Sequence, residues 1–210
     1  MNYKEAEERW KGKLGDEYLI RNYKGNICRA SFWGSIKEKY SLKKILEVGC
    51  GDGHNLQFLQ KRLILGKTLA DVSWKEIDSY GIDVNKEAIY NAYNLDCMNV
   101  CYGSAMDIPF KDSYFDLVFT AGLLIHIPPD GILKAMQEIV RCSRRYVLCI
   151  EYWAEKEKER LFRGELGITW ERPYDRLYLD SFNFRLLEQG FLTKDDGFND
   201  LSYFMFEKIE

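Results

Sequence analysis

The sequence predicts an α/β protein: a doubly wound, mostly parallel seven-stranded sheet with an antiparallel C-terminal edge strand and a helical N-terminal extension. Two observations carry that expectation. Short apolar runs alternate along the chain with stretches whose apolar residues recur at helical spacing, the pattern of successive βαβ units. The first run, Ile45, Leu46 and Val48, stops at three alternating glycines, Gly49, Gly51 and Gly53, ahead of an amphipathic segment that begins with Leu56, Phe58 and Leu59. A strand that breaks at glycines into a helix N-terminus leaves backbone N–H groups bare, and there an open α/β sheet binds a nucleotide-like ligand. Glycine suits the turn because the ligand must approach the main chain and φ can turn positive.

Composition narrows the functions open to such a fold. At 210 residues and 46% hydrophobic content the chain can bury a large core, and no Pro/Ser/Gly-rich linker divides it, so a single domain over 1–210 is expected. Lys and Arg number 30 against 33 Asp and Glu, a net charge of −3 with no basic stripe, which argues against nucleic acid as partner. The first fourteen residues mix both charges, and the longest apolar stretch, 117–127, is interrupted by Thr120, Gly122 and His126. Neither a signal peptide nor a membrane span is expected, so the chain reads as cytoplasmic, with no membrane partner. Six cysteines without a C-x-x-C pair and only two histidines give no metal site, and the thiols read as reduced and mostly buried.

In chain order, 3–40 reads as helical and aromatic, with a break at Gly12 and Gly15. It either covers the sheet or forms a lid that turns Tyr18, Arg21 and Asn22 toward a ligand. Beyond the glycine turn and its helix, 66–76 reads as an insertion. A second strand through Ile77, Tyr80 and Ile82 then ends in Asp83, where a carboxylate can accept both hydroxyls of a ribose. Asn85 is placed to cap the next helix, whose buried face would use Ala88, Ile89, Ala92, Tyr93 and Leu95. A third strand over 100–102 leads to Asp107, which could accept from an exocyclic amine or simply cap a turn. Residues 114–120 read as a central strand followed by His126 at its C-terminal edge, and Pro128 and Pro129 as the start of a helix. The fifth strand, 144–151, ends in Glu151, Tyr152 and Trp153, and a charged excursion follows. Asp180 or Ser181 is expected to cap a helix through Phe184, Leu187 and Glu188 that Gly190 stops. Strands over 191–193 and 201–208 complete the sheet.

The segments EVGCGDG, GIDV, GSAMD and FDLVFTAGLLIHI, in that order between Ile45 and Glu151, resemble the successive motifs of class I S-adenosylmethionine-dependent methyltransferases. The resemblance implies a Rossmann-like methyltransferase fold and S-adenosyl-L-methionine as cofactor. Carried over by position, it sets Glu47, Gly49, Gly51 and Gly53 beside the methionine part, Asp83 on the ribose, and Met106 with Asp107 beside adenine, with Asn55, Val84 and Thr120 completing the set. Outside this core, GDEYLIRN, LIHIPPD, RCSRRYVLCIEYW, FRG and DLSYFMFEK are similar to the methylases associated with pseudaminic acid biosynthesis. That likeness implies a small-molecule, sugar-related acceptor.

On this reading 1–40 is a cap, 41–151 the cofactor-binding core, 152–178 an acceptor-side insertion and 179–210 a C-terminal helix with antiparallel strands. His126, Glu151 and Tyr152 would lie on the catalytic rim. His126 is either a general base, because an unperturbed imidazole titrates near neutral pH, or a residue that shapes the pocket. Arg163 and Arg172, with Trp170 and Tyr174, would hold an anionic, sugar-like acceptor in the excursion, unless the arginines pair with neighbouring carboxylates. The alternatives are an RNA or protein methyltransferase and a non-catalytic S-adenosylmethionine-binding protein; the chain is expected to act as a monomer or homodimer.

Overall fold

The computed structural model describes residues 1–22, 29–60, 77–94 and 99–209. The 66–76 stretch, Leu95, Cys28, Cys97 and the side chain of Asn22 lie outside the described residues. The cap comprises helices α1 (Tyr3–Lys11), α2 (Lys13–Asn22) and α3 (Arg29–Lys39). The core then alternates β1 (Lys44–Val48), α4 (His54–Gln60), β2 (Asp78–Asp83), α5 (Lys86–Tyr93), β3 (Asn99–Tyr102), β4 (Phe115–Ala121), a 3₁₀ turn (Leu124–His126), α6 (Ile132–Cys142) and β5 (Ser143–Glu151). A hairpin, β6 (Lys158–Phe162) and β7 (Glu165–Glu171), is followed by α7 (Tyr174–Ser181), β8 (Phe184–Leu192) and β9 (Leu201–Lys208).

The seven-stranded sheet has the order β3-β2-β1-β4-β5-β9-β8, parallel except where β9 pairs antiparallel with both β5 and β8. Helices cover both faces, which explains the nearly unbroken apolar runs of the central strands. Adjacent residues point to opposite layers: Leu46, Val118, Val147 and Phe206 pack on the α6–α7 side with Met136 and Tyr178, while Ile45, Leu117, Leu148 and Met205 pack with Trp33, Ile36 and Leu56 from α3 and α4. Strand order reverses between β1 and β4, so the crevice beyond their C-terminal ends is the natural ligand site.

The C-terminal quarter departs from expectation. The expected helix through Phe184 and Leu187 is strand β8, and the helix lies earlier, over Tyr174–Ser181. A register shift between Leu186 and Glu188 puts an irregularity in the β8–β9 ladder, which breaks the two-residue alternation and mimics helical spacing. Tyr93, expected on the buried face of α5, is exposed. No described helix is long and apolar enough to cross a membrane.

Candidate functional site

The site starts where β1 ends. The N–H groups of Gly49 and Cys50 both donate to the Ile82 carbonyl, at 2.8 and 2.9 Å, tying the glycine turn to the end of β2. Gly49 has φ +74°, and a Cβ there would stand 2.7 Å from Leu123 Cδ1, so this glycine is demanded by packing against the segment after β4. Gly51 has φ +53° and nothing within 4 Å of its would-be Cβ. Its N–H donates to Asp83 Oδ2 at 2.9 Å, and the Asn85 N–H donates to Asp83 Oδ1 at 2.8 Å. Each oxygen keeps a second lone pair for a ligand hydroxyl. Burial raises the Asp83 pKa, and the backbone donors oppose that rise.

Two cavities of about 120 and 270 Å³ adjoin here and share Tyr18, Leu19, Gly49, Gly51, Gly122 and His126 among their walls. Asp83, Val84, Ala105 and Met106 face the first, and the cap roofs it with Tyr3, Trp10 and Leu19. Asn85 fastens this roof: its Oδ1 accepts from the Ala88 N–H as the N-cap of α5, while its Nδ2 donates to Asp16 Oδ1 at 2.8 Å and to the Trp10 carbonyl at 3.2 Å. The Tyr3 N–H donates to Asp130 at 3.2 Å, and Ser104 bonds Glu7.

Glu47, Asn55, Arg29 and Asp52 face the second cavity. Asn55 Nδ2 donates to Glu47 Oε1 at 2.7 Å, and Asn55 Oδ1 accepts from Arg29 at 2.8 Å and from Trp33 Nε1 at 3.3 Å. Glu47 Oε2 is buried without a hydrogen-bond partner among the described residues, and burial pushes this carboxyl up to about 8, against the opposing bond from Asn55. Asp52 bonds His54 on the same turn. Gly53 shapes the turn, at φ +80°, without lining either cavity.

The rim candidates divide. Tyr152 lines the second cavity, with the Arg160 guanidinium 4.2 Å from its ring centre. His126 lines both cavities, but its expected titration near neutral pH is not met. Burial lowers its pKa to about 4, although the Ile168 carbonyl 3.1 Å from Nδ1 pulls the other way. Glu151 lines neither. Fully buried, it accepts from the N–H groups of Leu123, Leu124 and Ile125 at 3.0–3.2 Å and thereby fixes the turn that carries His126. Burial raises it to about 7, opposed by these donors and by Thr120. Thr120 is itself buried behind the cleft wall.

Among the acceptor candidates, Tyr18 and Arg21 line the second cavity. Arg163 does not. It occupies, with Gly164, the two-residue turn of the β6–β7 hairpin at φ +55° and +84°, and is exposed. Trp170 and Tyr174 are core residues. Arg172 is fully buried and donates to the carbonyls of Leu124 and Ile127 at 2.9 and 2.7 Å, besides pairing with Glu157, so it anchors the 3₁₀ turn rather than a ligand. Asp107 is exposed and off the cleft, because the Ser104–Asp107 turn directs Ala105 and Met106 inward instead. Sequence reasoning missed Trp10, Arg29 and the second role of Asn85; the only signal was the aromatic density of the cap.

Comparison with known proteins bears on what this crevice serves. Residues 45–145 match the family model described as a methyltransferase domain. Over that stretch, just under half of the chain, it resembles the S-adenosylmethionine-dependent methyltransferases. Methyltransferase GfsG of Streptomyces halstedii is 26% identical over 106 residues, half of this chain and 36% of that protein, so the match spans about a third of that relative. The putative methyltransferase YrhH of Bacillus subtilis (strain 168) is 29% identical over 153 residues, 62% of this chain and 79% of that protein. The fold resembles that of magnesium protoporphyrin IX methyltransferase from Synechocystis PCC 6803 with bound S-adenosylhomocysteine, at a TM-score of 0.70 and 12% identity, covering 98% and 99% of the two chains. The cofactor of the methyltransferase domain is S-adenosylmethionine, and the crevice fits it. Gly51 keeps open the space a Cβ would fill, Asp83 has lone pairs for the ribose, and the orphaned Glu47 Oε2 could accept from the methionine ammonium.

Proposed function

We propose that this chain transfers the methyl group of S-adenosylmethionine to an anionic small molecule, sugar-like or sugar-nucleotide-like. The observation that carries the proposal is the junction of the two cavities at Gly49, Gly51, Gly122 and His126. Adenosine in the first cavity, on Asp83, and methionine in the second, beside Glu47 and Asn55, bring the sulfonium to that junction. An acceptor entering past Arg21, Tyr152 and Phe162 then meets the methyl in line. Bound there, the cofactor supplies an electrophilic methyl. The chain aligns the nucleophile, and the rings of Trp10, His126 and Phe162, at 4.2–6.5 Å between centres, exclude water. The Arg21 guanidinium, which lines the second cavity, favours an anion, and the likeness to pseudaminic acid-associated methylases supports a sugar-related one.

Calorimetric titration tests the cofactor assignment. Asp83→Ala removes the ribose acceptors and should weaken S-adenosylmethionine binding by about tenfold or more. Equal affinities for parent and variant would refute it.

A further inference from the structure

Methyl transfer requires a lone pair on the acceptor at the cavity junction. Of the described residues that line both cavities only Tyr18 and His126 titrate. Burial raises Tyr18, so its hydroxyl keeps its proton. The Ile168 carbonyl can only accept, so His126 Nδ1 carries the ring's proton and Nε2 the lone pair. The ring packs 4.2 Å from Trp10 and 5.6 Å from Phe162, with the Thr169 hydroxyl 3.4 Å from Nδ1. A second proton would create a buried imidazolium facing these rings and that carbonyl, and burial holds its pKa near 4. Glu47 is bonded to Asn55 at the methionine end, and the Asp52–His54 pair lines only the second cavity, on the glycine turn. The junction therefore suits a nucleophile that arrives with no proton to lose.

The second cavity also offers a cation with spare valence. Arg21 stands one helical turn after Tyr18; its Nη2 is buried and has no hydrogen-bond partner among the described residues, and Glu17 approaches Nη1 only to 3.7 Å. Burial, and then the charge of Arg163, lowers the Arg21 pKa. Arg21 thus keeps an uncommitted donor for an anionic ligand beside its ion pair with Glu17.

We propose that the acceptor's anion is itself the nucleophile: a small-molecule carboxylate, held by Arg21, is converted into its methyl ester. The proposal rests on the methyl-transfer reading above. One carboxylate oxygen attacks the methyl carbon, the carbon–sulfur bond breaks, and its electron pair stays on sulfur, leaving a thioether and an ester with no proton moved. Cation and anion neutralise each other as the bond forms, so a junction walled by aromatic rings favours the less charged transition state over the separate ions. The ester no longer matches Arg21, which loosens the product.

The test incubates the full chain with methyl-tritiated S-adenosylmethionine and the small-molecule fraction of a cell lysate, then makes the products alkaline. Methyl esters hydrolyse to volatile labelled methanol, whereas ethers, N-methyl and C-methyl compounds do not. Volatile label is expected. Arg21→Gln should raise the acceptor KM by about tenfold or more, Arg21→Lys should recover part of the loss, and calorimetry should find cofactor affinity within about twofold of the parent. Label that stays non-volatile overturns the ester while leaving methyl transfer standing, and unchanged acceptor kinetics in Arg21→Gln overturn the role of Arg21. A parent chain that does not bind S-adenosylmethionine brings down the reading beneath both.

Discussion

Glu47 shows how one residue can set cofactor affinity against stability. Its carboxyl is fully buried, one oxygen is bonded to Asn55 and the other has no partner, and burial lifts its pKa from 4.5 to about 8. Because the folded value lies above the unfolded one, the stability it contributes is complete below about pH 4.5 and is lost as pH rises through about 8. Glu47→Gln keeps an acceptor for Asn55 but cannot ionise. The ligand-free variant should therefore melt a few degrees above the parent at pH 9, where the parent must hold a buried charge, and about level with it at pH 5. It should also bind S-adenosylmethionine more weakly, since the ammonium loses an anionic partner. Thermal melts at both pH values check this, and a variant that gains nothing at pH 9 would mean that the carboxylate is solvated. The position of Glu47 was legible from its spacing to Gly49; its missing partner was not, because burial of a single oxygen depends on the whole fold.

Among the elements, the α1–α2 roof and strand β8 teach opposite lessons. The roof depends on Asn85, a side chain readable in sequence as a helix cap because asparagine precedes the apolar face of α5. Its two further bonds, to Asp16 and to the Trp10 carbonyl, join residues 69 and 75 positions apart, and no local pattern encodes them. Asn85→Ala should cost about 2 kcal/mol of stability from the lost cap and roof bonds. It should also speed S-adenosylmethionine dissociation, measured by stopped-flow, more than it slows association; an unchanged off-rate would mean that the roof does not retain the cofactor. Strands β1, β4 and β5 were legible because parallel strands buried on both faces are apolar runs. Strand β8 was misread because Phe184, Leu187 and Glu188 straddle a ladder irregularity, and Gly190 looks like a helix stop although Tyr203 of β9 crowds its open face. The hairpin turn at Arg163–Gly164 was missed since arginine replaces the asparagine usual where φ is positive.

For the whole molecule, buried titratable groups set opposing pH limits. His126 stays neutral in the fold, with a pKa near 4 against 6.5 unfolded. Its contribution is complete above about pH 6.5 and disappears as pH falls toward 4, amounting to about 3 kcal/mol. Glu47 and Glu151, raised to about 8 and about 7, act in the opposite sense as pH rises. The two glutamates outweigh His126 above about pH 4.5, so urea unfolding of the ligand-free chain should give a stability maximum near pH 4.5, and His126→Gln should steepen the loss between about pH 4.5 and 6.5; a slope that the substitution leaves unchanged would assign it to other groups. The roof also carries a consequence for how the chain is made. Tyr3 docks on Asp130 and Arg9 on Glu165, partners that emerge from the ribosome 127 and 156 residues later. Helices α1 and α2 must therefore wait, with Trp10 and Leu19 uncovered, until most of the sheet has been translated, and closing the cofactor cavity should be among the last events of folding.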